Sequence, residues 1–166
     1  MGDIKGSLDA AVAYLTEHPD EAAYTDSEAT AVLEAGLRVR VEGPDGLSLI
    51  TDMPESVGGG NAGPSPGWLF RASLAACEAT FIAMEAARDG VALDSLTVTV
   101  DSESDDRGIL GMDPDVPAGP RSIRVKVTLG GSNGDLPSIV RTAIERCPVH
   151  DAVARPVSID TEVEAG

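Results

Sequence analysis

The periodicity of apolar and polar positions changes several times along the chain, and each change marks an element. Leu8, Val12 and Leu15 share one helical face behind Ser7, and His18-Pro19 ends the run, which predicts an amphipathic helix over residues 7–17. A second short helix is expected over residues 27–34, stopped by Gly36. Residues 37–41 then alternate apolar and charged, Pro44-Asp45-Gly46 is turn chemistry, and residues 47–51 alternate again, so a β-hairpin is expected. Asp52 to Gly67 collects five glycines and three prolines and reads as an irregular loop.

Residues 68–88 change the picture. They contain neither Gly nor Pro, and Arg71, Glu78, Glu85 and Arg88 are their only charges, so they predict one long helix closed by Asp89-Gly90. Its apolar residues cover nearly the whole circumference, so it should be buried on most sides. It lacks the ~20 uninterrupted apolar residues of a membrane span, and its cover must be protein, either this chain's sheet or a second copy. Residues 96–101 and 123–129 alternate with period two and predict strands, separated by a loop from Asp105 to Pro120. A helix opened by Asp135 should run to about Arg146, and residues 156–163 alternate like a closing strand. Strands arriving in blocks predict an α+β fold, an antiparallel-leaning sheet with helices on one face. The long apolar helix points to a homodimer that pairs two copies of it.

Twelve basic against twenty-eight acidic residues leave a net charge of −16, which argues against sequence-general binding to nucleic acid or to an anionic membrane. Lys occurs only at positions 5 and 126, a balance that fits either a salt-adapted or an ordinary acidic protein. No basic-plus-apolar leader opens the sequence, so a cytoplasmic location is expected. In that compartment paired cysteines are more often catalytic or metal-binding than structural.

There are two cysteines, Cys77 in the middle of the long apolar helix and Cys147 just before Pro148. Pro favours the first position of a helix, so Cys147 can cap a new helix whose positive end favours a thiolate. Cys77 has no free N–H in its own helix, and only an approaching cation would make it acidic; Arg38 and Arg40 are the candidates. Other readings stand beside these: a buried Cys as a small hydrophobe, the two arginines as a solvated strand face, or Cys77, Cys147, His150 and His18 as a metal set.

Ser73-Leu74-Ala75-Ala76-Cys77 on a long apolar helix, Gly90 closing it, two strands, a helix and Cys147-Pro148-Val149 together resemble the OsmC/Ohr family of thiol peroxidases. The resemblance covers about residues 36–164, making residues 36–166 an OsmC-like domain and residues 1–35 an accessory helical segment. It implies an intertwined homodimer, with Cys77 as the peroxidatic thiolate that attacks an organic hydroperoxide and Cys147 as the thiol that resolves the sulfenic acid. It implies Arg38, in Gly36-Leu37-Arg38, as the cationic partner, with Arg40 as the other possibility. It also implies no metal or prosthetic group, and recycling by an external dithiol of lipoyl or thioredoxin type. The family carries an acid ten positions before its first cysteine, in an Asn-Pro-Glu context, whereas this chain has Ser65-Pro66-Gly67. The Arg would then be held differently, for example by Glu42 or Glu55, or peroxidase activity would be reduced or absent. The rival expectation is a dimer that binds or regulates without peroxidase chemistry.

Overall fold

A computed structural model describes residues 3–166, which fall into two compact units divided between Ala72 and Ser73. The first opens with α1 (Ile4–Glu17), whose cap is Asp3 and not Ser7: the Asp3 carboxylate accepts from the Gly6 amide at 2.9 Å. A Cβ on Gly6 would collide with that carboxylate, so the early start depends on glycine there. The segment expected as a second helix is instead β1 (Thr30–Ala35). It pairs antiparallel with β2 (Arg38–Glu42), which pairs with β3 (Ser48–Thr51); Val32 faces Arg40, and Arg40 faces Ile50. Local helix propensity in Ala29-Thr30-Ala31-Val32-Leu33-Glu34 is worth only tenths of a kcal/mol per residue. Gly36, at φ +59°, reverses the chain and presents this segment to β2, whose ladder outweighs it.

No apolar side chain before Leu74 is buried among the described residues; the buried groups of the first unit are Thr51 and Asp52. Asp52 organises the loop after β3. Its carboxylate accepts from the amides of Met53 (2.7 Å), Gly60 (3.0 Å) and Ala62 (3.1 Å). These bonds hold it below the usual carboxylate range, with a smaller pull from the Arg38 charge.

The long helix α2 (Pro66–Arg88) extends from the first unit into the second. Gly90 leaves it at φ +69°, the left-handed exit expected for a residue without a Cβ. The second unit continues with β4 (Ala92–Glu103), the short α3 (Asp106–Ile109), β5 (Ser122–Ser132), α4 (Leu136–Arg146) and α5 (Pro148–Ala154). β4 and β5 form an antiparallel ladder from Ala92↔Ser132 to Glu103↔Ser122. The core joins Ile82 and Ala86 of α2, Val91, and Ile139 and Ala143 of α4, with Leu96, Val98, Val127 and Leu129 of the strands packed against it. The fold is therefore α+β with antiparallel sheets.

One expectation is left open and one is revised. The chain itself buries one stripe of α2, Leu74, Glu78, Ile82, Glu85 and Ala86, and leaves Trp68 52% exposed. Residues 156–163 form no strand, and Ile159 and Val163 are 87% and 85% exposed. Alternation predicts a strand only where a neighbouring edge pairs with it, and no described strand does so.

Candidate functional site

α2 presents Cys77 from its fourth turn, half-buried, and the junction of α4 and α5 presents Cys147, fully buried. Both are free thiols, and Cys147 Sγ donates to Cys77 Sγ across 3.1 Å, although 70 positions separate them. The junction follows from local sequence. Pro148 cannot continue the hydrogen bonding of α4, so α4 ends at Arg146, Cys147 takes an extended conformation and Pro148 starts α5.

Cys147 is thus the cap the sequence leads one to expect, but its electrostatics are reversed. Burial pushes its thiol up to about 11, the hydrogen bond to Cys77 adds to this, and the amides of His150 and Val149 act in the lowering sense without prevailing. A short helix start cannot offset the loss of water around the sulfur, so Cys147 rests as a thiol.

Two buried carboxylates of α2 pair with the segment that carries Cys147. Glu78 is fully buried; its Oε1 lies 2.7 Å from His150 Nδ1 and its Oε2 has no partner among the described residues. Glu85 Oε1 accepts from Arg146 and from Arg88, each at 2.7 Å. Arg146 and His150 stand on either side of Cys147, so the segment carrying this cysteine is tied to α2 at three points.

Arg38 and Arg40 belong to the first unit. Each donates its Nε to Glu34 at 3.0 Å, and Arg40 is also paired with Glu42. The carboxylate on Arg38 is therefore Glu34, not Glu42 or Glu55. His18 stacks on Tyr14 with ring centroids 4.3 Å apart. Among the described residues no three His, Cys, Asp or Glu side chains form a group that could hold a metal ion. A separate hollow of about 470 Å³ lies in the first unit, walled by Met53, Pro54, Pro64 and Trp68 with Asp52 and Arg71. Among the described residues no helix is long and apolar enough to cross a membrane.

Residues 58–162 match the profile of the family described as OsmC-like protein. The chain belongs to that family. The fold agrees. An OsmC-like protein from Mycoplasma pneumoniae superposes with a TM-score of 0.68 at 18% identity, over 80% of this chain and 89% of that one. An organic hydroperoxide resistance protein, OsmC, from Legionella pneumophila gives 0.54 at 25% identity over 79% and 90%. The organic hydroperoxide resistance protein OhrB of Bacillus subtilis gives 0.52 at 23% identity over 79% and 92%. No curated protein matches the sequence.

In this OsmC-like chain the residues that sequence reasoning did not single out are Glu78, Glu85 and Arg146, and it raised His150 only as a metal ligand, not as the partner of Glu78. A signal was present: two acids seven positions apart on an otherwise apolar helix must lie on one face, and a buried face needs partners for them. What the sequence could not supply was which cations answer.

Proposed function

We propose that this OsmC-like protein is a cysteine-dependent peroxidase for organic hydroperoxides. Cys77, the more accessible thiol, attacks the distal oxygen of the hydroperoxide as its thiolate, the O–O bond breaks, and an alcohol leaves with Cys77 as a sulfenic acid. Cys147 then attacks the Cys77 sulfur; the S–S bond forms, the S–O bond breaks, and water departs with the proton that Cys147 gave up. The observation that carries this reading is the 3.1 Å contact between the two sulfurs. Closure to the ~2.05 Å of a disulfide asks for about 1 Å of movement and no rearranged segment. The hydroperoxide resistance proteins among its structural neighbours support the substrate class.

Arg38 is the proposed cationic partner of the Cys77 thiolate, and an external dithiol of lipoyl or thioredoxin type is the proposed reductant. A homodimer is part of the proposal. Support for it comes from Val32, Leu33 and Leu37, exposed on and beside a sheet that this chain leaves without a buried apolar side chain, and from exposed Val157, Ile159 and Val163. A second copy would cover these surfaces.

The test is thiol titration before and after one equivalent of cumene hydroperoxide. The wild type should lose both thiols to an intramolecular disulfide, Cys77→Ser should be inert, and Cys147→Ser should stall as a sulfenic acid trapped by dimedone. Unchanged thiols in the wild type would favour a dimer that binds or regulates without peroxidase chemistry, the reading to which Gly67 lends weight.

A further inference from the structure

The ties on either side of Cys147 differ in kind. Arg146 on Glu85 is a guanidinium on a carboxylate, a pair made without an imidazole. Glu78 has only His150, whose side chain is 35% exposed while that of Glu78 is fully buried. A carboxyl group buried with one unpartnered oxygen is costly as an anion unless a cation or a proton offsets the charge. At 2.7 Å Oε1 and Nδ1 lie within one hydrogen bond, so the tie to this buried carboxyl depends on an imidazole and on where its proton sits.

The charged side chains next to it along α2, α4 and α5 are engaged elsewhere. β4 and β5 turn Leu96, Val98, Val127 and Leu129 toward this core. α4 contributes Arg146 and α2 contributes Arg88, both engaged with Glu85; on α5, Asp151 is engaged with Arg155 at 2.6 Å. The two thiols, in contact with each other, are titratable groups of the same segment. His150 lies one turn beyond Cys147, so whatever fixes its ring fixes the first turn of α5 and the direction of the Cys147 side chain.

We propose that Glu78 and His150 are positioning residues for disulfide closure, a proton-dependent latch that holds Cys147 against Cys77. The latch rests on the peroxidase reading for the origin of the sulfenic acid, not for closure itself. Diamide serves as an alternative two-electron acceptor. One thiol adds across its N=N bond, the other sulfur displaces the adduct, and the hydrazine product carries off both thiol protons.

The experiment follows single-turnover closure of the full-length reduced protein from pH 5 to 9 by acid quench, alkylation and mass spectrometry, with diamide and separately with cumene hydroperoxide. Wild-type closure by diamide should show an inflection on top of the general rise with thiolate. His150→Ala should close about tenfold more slowly and lose the inflection. His150→Gln, which retains a donor for Glu78, should recover the rate without the inflection. Arg146→Leu should slow closure by one factor at every pH and leave the inflection in place. Wild-type rate and profile in His150→Ala, or a pH-uniform loss in it like that of Arg146→Leu, would overturn the latch. Wild type that closes with diamide and the expected profile, but not with hydroperoxide, would uphold the latch and overturn the peroxidase reading.

Discussion

Oxidation of the dithiol should make the protein markedly more stable, and the size of the effect follows from where the two cysteines lie. They are 70 positions apart, so the bridge would close a ring of about 71 residues in the unfolded chain. The chain-entropy relation gives a loss of roughly 15 cal/mol/K to the unfolded state, or about 4 kcal/mol at 25 °C. The native state gives back little of this, because the sulfurs are already 3.1 Å apart in the reduced protein. At about 2–4 °C per kcal/mol for a chain of this size, the unfolding midpoint should rise by about 10–15 °C. Differential scanning calorimetry of reduced and diamide-treated wild type, at one protein concentration and with complete thiol loss verified, measures it; Cys147→Ser supplies the baseline that should not move. An oxidised wild type with both thiols consumed and a midpoint equal to or below the reduced value would refute the reasoning, because the fold would then have to deform to close the bridge.

Three further outcomes are expected. Because the buried Cys147 thiol is pushed up to about 11, its folded form keeps its proton where the unfolded form loses it. Its contribution is therefore full below about pH 8.5 and lost as pH rises toward 11, so the stability of reduced wild type should fall by on the order of 2–3 kcal/mol relative to Cys147→Ala over that window, read from urea unfolding. Ile82 is fully buried in the core of the second unit, and Ile82→Ala should cost about 2–5 kcal/mol in the same assay. Asp52 is held below its ordinary range by three amides, so it stabilises above the unfolded carboxylate pKa and ceases to do so as pH falls through the lowered value. Asp52→Asn should destabilise at neutral pH and flatten the acid limb of the stability curve, measured by thermal unfolding from pH 2 to 7.

The sequence carried the elements whose signals are local. The long helix, its Gly90 exit, the hairpin of β2 and β3 and the cap at Cys147 each follow from neighbouring residues alone. The losses occur where a distant partner decides. Residues 30–35 have helix-forming composition and become a strand because β2 lies alongside, while residues 156–163 alternate like a strand and have no described strand to pair with. The site divides in the same way. The pairing of the cysteines was expected from a family resemblance, but the high thiol pKa of Cys147 depends on burial that no spacing reveals. Apart from Arg88, one turn along the same helix, the partners of Glu78 and Glu85 come from residues 72 and 61 positions away.

The unequal exposure of the two sulfurs gives the chemistry a direction. Cys77 alone has an open flank, so a reductant arriving from solvent would have to strike that sulfur and expel Cys147. A thiol that holds its proton so tightly is a reluctant leaving group. The burial that keeps Cys147 quiet before oxidation would make reopening the slow half of the cycle, so that in a cell short of reductant the oxidised form accumulates.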